Sequence, residues 1–428
     1  MVSICFYFQV HQPYRLRRYS VFDTDPFYFD NRKNAEICRR IADVCYRPAT
    51  RLLIDLCRTY APRFRVAFSL SGTVLDQFEQ FCPDVIDLFA ELVDTGCCEI
   101  LSETSEHSLA FLYSRREFDE QVDIHTQKVQ HLFGVTPDVF SNTELIYNND
   151  LAYYLQKKGR FRGALCEGVD RILGYRTPAH LYRSPHPPLD GVKPLALLLK
   201  NYRLSDDIAF RFSNHDWPGW PLTAEKFLAD VIKIGSEGEI CNLFMDYETF
   251  GEHQVAETGI FDFLAELPRV ALEKHSDSVE FLTPGECIEK YEPADVYDVP
   301  HMISWADTER DLSAWIGNAM QSNALHTLYR MEDAIKDKLA QAETPEEKQH
   351  AQYILQDWRR LTASDHAYYM CTKSFADGVV HKYFNPYASP YDGYINFMNV
   401  LDNLHSRINR LTPTVVSTTR RGEVSAGN

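Results

Sequence analysis

One apolar run of this chain ends in a cluster of residues that could do chemistry. The run at 243–245 is followed by Asp246, Glu248, Glu252 and His253. A strand that ends in three carboxylates and an imidazole would deliver them to one rim of a sheet. Such a rim is better suited to a reaction site than to a hydrophobic core.

A second carboxyl group, Glu144, also follows an apolar run. Together with Asp246 it could cleave a glycosidic bond, which needs one ionised carboxylate to attack the anomeric carbon and one protonated carboxyl to donate to the leaving oxygen. Burial and a neighbouring like charge can separate two such pKa values. A carboxylate at a strand end can also be a helix cap or a loop ion pair, so position alone leaves both interpretations open.

The elements that would position these residues are short β-rich runs with helical patterns between them. The predicted strands are 4–10, 65–70, 97–101, 139–143, 163–166, 208–212, 240–245 and 279–282. Helices are predicted at 84–94, closed by Gly96, and at 114–133, with Ser114 as N-cap and Gly134 as terminator. This alternation predicts parallel βαβ units.

The polar residues that follow these runs indicate a barrel. The residues in question are His11, Ser71, Glu103, Glu144, Glu167 and Asp246. A (β/α) barrel carries its active site at the carboxyl ends of its strands. The fold class predicted is therefore α/β, with a (β/α) barrel over residues 1–290.

The strand signal disappears after an irregular linker at 291–300. Helical periodicity, with abundant Ala, Gln, Lys and Glu, covers 312–342, 345–361 and 391–410. We therefore predict a C-terminal helical bundle over 291–410, which completes the active site. The tail at 411–428, rich in Thr, Ser and Gly, is predicted to be disordered.

Composition limits the partners. The 428 residues include 44 basic and 61 acidic side chains, and the formal charge of −17 disfavours nucleic acid and anionic membranes. The N-terminus lacks a basic region, and no apolar run is long enough to span a membrane. The 11 cysteines follow no disulfide or metal spacing, which is typical of reduced thiols in a cytoplasmic protein. The oligomeric state is left open.

Several motifs resemble those of glycoside hydrolase family 57, the α-amylase and 4-α-glucanotransferase group. They are Gln-Val-His-Gln-Pro at 9–13, Cys-Glu-Ile-Leu-Ser-Glu-Thr-Ser-Glu-His-Ser-Leu at 98–109, Ser-Asn-Thr-Glu at 141–144, the run 245–253, Trp-Ala-Asp-Thr-Glu-Arg-Asp-Leu-Ser-Ala-Trp at 305–315 and Ser-Asp-His-Ala-Tyr-Tyr-Met at 364–370. The last two are similar to the compact α-amylase-like branch.

The resemblance implies a seven-stranded barrel, incomplete compared with eight strands, and a retaining mechanism on α-glucans such as maltooligosaccharides, glycogen or starch fragments. It implies that Glu144 is the nucleophile and Asp246 the general acid/base, with no cofactor and no metal. Two positions depart from the family pattern. Gln9 stands where many members have a histidine, and Ser105 and Glu106 stand where aromatic residues are common.

Further side chains are candidates for sugar binding, by hydrogen bonding or by stacking on pyranose C–H groups. They are Gln9, His11, His107, Trp220, Tyr247, His253, Trp305 and Asp307. Some of these residues have structural alternatives. Asp307 could be a helix cap, and His253 could orient a carboxylate.

Three other functions stay open at this point. A 4-α-glucanotransferase would use the same glycosyl-enzyme intermediate, and a non-catalytic glucan-binding protein could keep both carboxylates. A metal-dependent polysaccharide deacetylase could use His11, His107, His253 and the Asp206–Asp207 pair, although no two of these histidines have a ligand-like spacing.

Overall fold

The computed structural model describes residues 1–189, 191–373 and 385–410. Ten strands run through the first 300 residues: β1 Val2–Val10, β2 Val66–Leu70, β3 Cys98–Ile100, β4 Val139–Ser141, β5 Gly163–Glu167, β6 Leu181–Arg183, β7 Ala196–Lys200, β8 Ile240–Asp246, β9 Val279–Phe281 and β10 Asp295–Val296. Seven of these, β1 to β5 with β7 and β8, are parallel and form a barrel.

The barrel consists of two hydrogen-bonded sheets that meet at two seams. One sheet has the order β3-β2-β1-β8, and the other contains β4, β5 and β7. At the first seam a parallel bridge joins Ser102 to Phe140. At the second, Asn201 donates its backbone N–H to the carbonyl of Asn242 at 2.9 Å, and the Asn242 side-chain amide donates to the carbonyl of Leu199 at 2.9 Å. The ring of seven strands is thereby closed, as predicted.

The remaining strands lie outside the ring. β9 pairs with the N-terminal part of β1, and β6 runs antiparallel to β7 with β10 at its outer edge. The barrel strands are almost continuously buried, as expected for a parallel sheet covered by helices.

Helices cover the outside of the barrel. They span Asn31–Ile41, Arg47–Tyr60, Gly72–Phe81, Pro83–Asp94, Ala110–Tyr113, Arg115–Phe133, Asn149–Lys158, Asp170–Leu173, Tyr202–Ala209, Ala224–Ile234, Ile260–Lys274 and Pro284–Lys290. The two predicted helices of this region are confirmed. Ser114 accepts a hydrogen bond from the backbone N–H of Glu117, and Gly134 ends the same helix with a left-handed φ of 71°.

One predicted strand is wrong. Residues 208–212 lie at the end of the helix Tyr202–Ala209 and in the loop beyond it, and the strand of this unit is β7, Ala196–Lys200. Asn201 explains the difference, because its side chain accepts from the backbone N–H of Leu204 and starts a helix directly after β7. The run 196–199 is buried in the barrel wall.

The C-terminal part is helical, as predicted. Its helices span Ser313–Ile316, Ala319–Tyr329, Glu332–Gln341, Pro345–Leu361, Ser364–Tyr368 and Pro390–Arg410. The pattern predicted as one stretch at 312–342 is divided into three of these helices. The predicted disordered tail at 411–428 lies outside the described residues.

The helical part and the barrel share a core. Trp315 and Trp358, both at most 1% exposed, belong to the same apolar cluster as Phe140 and Ala164 of the barrel. Removing the helices would therefore expose barrel residues to water. The cysteines are free thiols, and all but Cys98 are buried. Within the described ranges, no helix has both the length and the hydropathy for a membrane crossing.

A buried ion cluster also connects the two parts. Glu117, fully buried on the barrel helix Arg115–Phe133, contacts Lys336 Nζ at 2.7 Å and Arg359 Nε at 2.8 Å. Lys336 also contacts Glu332 at 2.8 Å. Opposite charges at such distances satisfy one another, but any one of them would be costly if it were left alone.

We expect Lys336→Met to lower the free energy of unfolding by about 3 kcal/mol, because a buried carboxylate loses a partner. Lys348→Met is the matched control, since Lys348 is exposed, and it should stay within about 0.5 kcal/mol of the parent. Urea denaturation followed by circular dichroism measures both. Equal stability of the two variants would show that the cluster does not connect barrel and bundle energetically.

Candidate active site

A cavity of about 790 Å³ lies at the carboxyl ends of the barrel strands. Its volume is within the range of small-molecule sites. Barrel residues line it together with Trp305, Asp365 and Tyr369 from the part of the chain beyond residue 300. The polar residues predicted to follow the strands are therefore gathered at one end of the barrel, as parallel strands require.

Glu144 sits in a strained turn directly after β4. It lies within the 3₁₀ turn Thr143–Leu145, with φ 56° and ψ 27°. This left-handed conformation is unfavourable for a residue other than glycine and needs support from its surroundings. Two backbone hydrogen bonds supply it, from Leu145 to the carbonyl of Asn142 at 2.9 Å and from Trp305 to the carbonyl of Glu144 at 3.2 Å.

The Glu144 carboxylate is held by two ring nitrogens. Trp305 donates Nε1–H to Oε2 at 2.6 Å, and His107 Nε2 lies 3.3 Å from Oε1. The side chain is 24% exposed, so part of the carboxylate still faces the cavity. Its orientation is thus determined by one residue from the barrel and one from the segment after it.

His107 connects two carboxylates. Its Nδ1 lies 2.9 Å from Glu103 Oε2, while Nε2 faces Glu144. Burial alone would lower the pKa of His107, but the two carboxylates outweigh it and raise the pKa to about 10. The ring is therefore an imidazolium at neutral pH, and both nitrogens donate.

Gln9 supports this arrangement from the neighbouring strand. Its Nε2 donates to Glu103 Oε1 at 3.1 Å, and its Oε1 accepts from the Tyr7 hydroxyl at 2.7 Å. Ser141 donates in turn to the Tyr7 hydroxyl at 2.8 Å. Gln9 lines the cavity, but both ends of its amide are engaged by the protein, so it holds Glu103 in place for His107.

Asp246 is the last residue of β8 and pairs in register with Gln9 of β1. The pKa of Asp246 is raised to about 7, first because burial disfavours the charged form and second because Glu144 carries a negative charge nearby. Lys200 and His107 oppose this shift. The carboxyl group therefore holds its proton over a large part of the neutral range.

A third carboxyl group on this rim also keeps its proton. The pKa of Glu248 is raised to about 8 by burial and by the charge of Asp246. Tyr46 donates its hydroxyl to Glu248 Oε1, and Gln12 Nε2 lies 3.4 Å from the same oxygen. Below about pH 8, Glu248 is therefore mostly protonated and adds little negative charge beside Asp246.

Asp365 reaches the cavity from the helix Ser364–Tyr368. It accepts from His11 Nε2 at 2.8 Å, and His11 Nδ1 lies 2.7 Å from Ser71 Oγ. Burial and the nearby His107 lower the pKa of His11, so the ring is neutral and its Nε2–H donates to Asp365. The His11 and His107 rings stack at 4.1 Å.

The combination suits glycosidic bond cleavage. One carboxylate, Glu144, is oriented by two N–H donors, and a neighbouring carboxyl, Asp246, is held near the midpoint of its titration. Two carboxyls with separated proton occupancy are the minimum that this reaction needs. Within the described ranges, no three His, Cys, Asp or Glu side chains are arranged to hold a metal ion.

Comparison with known families gives the same chemistry. Residues 5–300 match the family model described as glycosyl hydrolase family 57, which is more than half of the chain. The chain belongs to glycosyl hydrolase family 57. It is therefore a glycoside hydrolase by family, with the seven-stranded barrel that the sequence motifs imply.

The relatives of this family 57 protein include a Methanocaldococcus jannaschii protein provisionally named an alpha-amylase. The two are 39% identical over 417 residues, which is 95% of this chain and 85% of the relative. The GH57-type branching enzyme of Pyrococcus horikoshii shares the fold, with a TM-score of 0.65, 13% identity and coverage of 95% and 94% of the two chains. The 4-alpha-glucanotransferase of Thermococcus litoralis has a TM-score of 0.56 at 15% identity, with coverage of 90% of this chain. The chain spans only 54% of that enzyme's length.

The structure brings most of the predicted site residues of this family 57 protein together. The cavity is lined by Glu144, Asp246, Gln9, His11, His107, His253, Trp305 and Asp307. Burial lowers the pKa of His253 to about 4, so the ring is neutral. Asp307 contacts Lys373 Nζ at 3.0 Å.

Two predicted sugar-binding residues lie elsewhere. Tyr247 is fully buried, with its ring against Phe68 and its hydroxyl 3.0 Å from Thr50 Oγ1, because it follows Asp246 and points away from the cavity. Trp220 is 41% exposed and stacks on His215 at 4.1 Å in a loop outside the cavity lining.

Sequence reasoning missed Lys200, Asp206 and Arg310 as residues of the cavity wall. Lys200 could have been found from the sequence. It follows the apolar run 196–199 directly, just as Asp246 follows the apolar run 243–245. In the sequence, Asp206 is a candidate only for metal binding, as part of the Asp206–Asp207 pair. Arg310 lies within the family-like motif at 305–315, which could have marked it, and it reaches the cavity through the path of the chain after the barrel.

The position of Asp246 leads to a prediction about its ionisation. Glu144→Gln should lower the pKa of Asp246 from about 7, because it removes the nearby negative charge, yet the pKa should stay above 3.8 because burial remains. Carbon-13 NMR of protein labelled at the Asp carboxyl carbon measures this, with Asp246→Asn to assign the signal. An unchanged midpoint in Glu144→Gln would show that the two carboxyls do not interact.

Proposed function

We propose that the protein is a retaining α-glucan-active glycoside hydrolase, an α-amylase, with Glu144 as nucleophile and Asp246 as general acid/base. The observation that carries the proposal is the contrast between these two carboxyls. Glu144 is oriented by Trp305 Nε1 and by the His107 imidazolium, whereas burial and Glu144 itself raise the pKa of Asp246 to about 7.

In the first step, a Glu144 oxygen attacks the anomeric carbon while Asp246 gives its proton to the leaving glycosidic oxygen. The bond to the leaving sugar breaks, and an ester bond to Glu144 forms. The attack removes the charge of Glu144. The contribution of the Glu144 charge to the raised Asp246 pKa is then gone while burial remains, so the pKa falls and favours the ionised form that acts as a base.

In the second step, Asp246 takes a proton from water, and the water oxygen attacks the anomeric carbon. The ester breaks, and Glu144 is restored as a carboxylate. Two inversions give net retention. If a sugar hydroxyl takes the place of water, the product is a transferred glucan, so hydrolysis and transfer share every residue of the first step.

The substrate class follows from family and from charge. A neutral polyhydroxylated glucan suits a cavity rich in hydrogen-bonding groups on a protein with formal charge −17, which repels nucleic acids and anionic membranes. The relative that is 39% identical carries a provisional alpha-amylase name, which supports α-linked glucans. The buried free thiols fit action in the reducing cytoplasm.

We also propose that the helical part, from about residue 291 to 410, completes the active site. Trp305 binds Glu144, and Asp365 binds His11, so two groups of the barrel rim depend on residues outside the barrel. The shared core with Trp315 and Trp358 holds these residues in place.

Glu144→Gln and Asp246→Asn should each lower the turnover of maltooligosaccharides by a factor on the order of 10³ or more with folding intact, because both groups act in the transition state. The exposed Glu257→Gln and Asp262→Asn are matched controls with the same charge changes. Product analysis by chromatography measures the rates and separates hydrolysis from transfer. Near-parental activity of either site variant would contradict the assignment.

The two roles can be distinguished with α-maltosyl fluoride, whose leaving group needs no proton. The first step on this substrate should be largely restored in Asp246→Asn but not in Glu144→Gln, because only the acid has become dispensable. Fluoride release measures it. Equal rescue of both variants would reject the proposed roles. Rescue of Glu144→Gln alone would reverse them.

Retention of configuration is the expected stereochemical outcome. A nucleophilic Glu144 requires carboxyls about 5 to 5.5 Å apart, whereas an inverting enzyme needs roughly 6.5 to 9.5 Å to fit a water. Proton NMR of fresh hydrolysate should therefore show the α-anomer first. Initial β-anomer would mean that Glu144 activates water and is not esterified.

A further inference from the structure

Two basic and two acidic side chains alternate in a closed ring, here called the charge ring, and three of the four line one wall of the cavity. They are Glu167 at the end of β5, Lys200 at the end of β7, Asp206 on the helix Tyr202–Ala209 and Arg310 after the barrel. Lys200 Nζ lies 4.0 Å from Glu167 and 3.7 Å from Asp206, and Arg310 lies 3.7 Å from Glu167 and 3.8 Å from Asp206.

These distances are too long for direct hydrogen bonds. Charge-assisted hydrogen bonds are normally about 2.7 to 2.9 Å. Glu167 is fully buried, yet neither of its oxygens meets a donor of the described residues in hydrogen-bonding geometry. Buried polar atoms are nearly always hydrogen-bonded. The charge ring therefore has unused hydrogen-bonding capacity.

The spacing selects the kind of group that could use this capacity. A bridge between a cation and a carboxylate must accept from one and donate to the other, which a hydroxyl does. An anionic ligand would meet Asp206 and Glu167, and a cationic one would meet Lys200 and Arg310, so neutral hydroxyl groups fit best.

The charge ring lies close to the proposed nucleophile. Lys200, Asp206 and Arg310 line the same cavity as Glu144. Lys200 Nζ is 4.9 Å from the centre of the Trp305 ring, and Arg310 donates to the Trp305 carbonyl. Since Trp305 Nε1 donates to Glu144, a single side chain separates the charge ring from the reacting carboxylate.

We propose that Lys200, Asp206 and Arg310 form a sugar subsite that binds the hydroxyl groups of a neutral glucose unit next to the one held at Glu144. The inference rests on the proposed function and names a part of the site that recognises its substrate. Glu167 lies behind the subsite and positions Lys200 and Arg310. Affinity should then depend on whether the saccharide is long enough to reach both subsites.

The first experiment measures binding with the Glu144→Gln protein, which should bind saccharides without consuming them. Calorimetric titration with maltose to maltoheptaose gives affinity as a function of length. Adding Asp206→Asn should weaken binding on the order of 10-fold for saccharides that span both subsites, because a charged partner for their hydroxyls is lost, and should change the binding of shorter ones little.

Asp207→Asn is the matched control. It makes the same charge change at the next residue, where the carboxylate pairs with Arg211 Nε at 2.6 Å outside the cavity lining. Thermal unfolding of each variant shows whether the fold is kept. Equal weakening at every length, or a loss of stability with no length dependence, would give the charge ring a structural role only and overturn the proposal.

A second measurement leaves the charge ring intact. Maltotriosides that lack one hydroxyl are titrated against the Glu144→Gln protein and against its Asp206→Asn form. At least one missing hydroxyl should weaken binding to the first protein and have little effect in the second, which is the signature of a direct contact. If every missing hydroxyl weakened binding equally in both proteins, its effect would simply add to that of Asp206→Asn, and the proposed subsite would be wrong.

The two proposals fail in different ways. If the parent protein cleaves maltooligosaccharides but the length and deoxy series show no coupling to Asp206, only the subsite is wrong. If the parent neither binds nor cleaves any α-glucan, the proposed function fails and the subsite fails with it. The charge ring is proposed to select neutral sugars. If a glucan that bears phosphate or carboxylate bound more tightly than the neutral glucan of the same length, that selectivity would be contradicted.

Discussion

Burial of several carboxyl groups side by side on one barrel rim is the constraint on which this site depends. Seven parallel strands direct their ends to the same side, so Glu144 and Asp246 line one cavity, with Glu103 directly behind His107. The His107 imidazolium lies between Glu103 and Glu144, and Asp246 keeps its proton first because it is buried and second because Glu144 carries a charge nearby. The raised pKa of Asp246 is thus a consequence of its burial beside a second carboxyl group.

The backbone around the site is strained, and this strain is concentrated in a few places. His107, Glu144, Leu145, Asp307 and Arg310 all have positive φ values although none is glycine. Such conformations cost about 1 to 3 kcal/mol each and persist only where neighbouring structure imposes them. In this protein the loop after β4 and the segment after the barrel hydrogen-bond to each other, so each holds the other in an unfavourable geometry.

The segment that follows the barrel thereby takes part in the site. Trp305 supplies an N–H to Glu144 and a face to Lys200, and Arg310 completes the charge ring. Asp365 fixes the tautomer of His11 from a helix further along the chain. A barrel alone would present the carboxylates without these partners, and the buried core around Trp315 and Trp358 is what keeps the partners in position.

The local sequence predicted most of the barrel strands and placed Glu144 and Asp246 at their ends, because an apolar run that ends in a polar residue marks a barrel strand and its rim. It was the resemblance to family motifs that assigned catalytic roles to these two carboxyls, since position alone also allowed a helix cap or an ion pair. The strand at 196–200 was missed because the apolar residues at 208–212 competed with it, and only the Asn201 cap and the barrel seam decide between them.

The sequence could not show that Tyr247 turns into the core, that Trp220 lies outside the cavity, or that Gln9 is engaged by Tyr7 and Glu103. Nor could it show that Lys200 and Arg310, 110 positions apart in the numbering, face the same two carboxylates. Residue type and spacing along one strand are local properties, whereas the proton occupancy of Asp246 and the charge ring depend on which distant residues the closed barrel brings within a few ångströms.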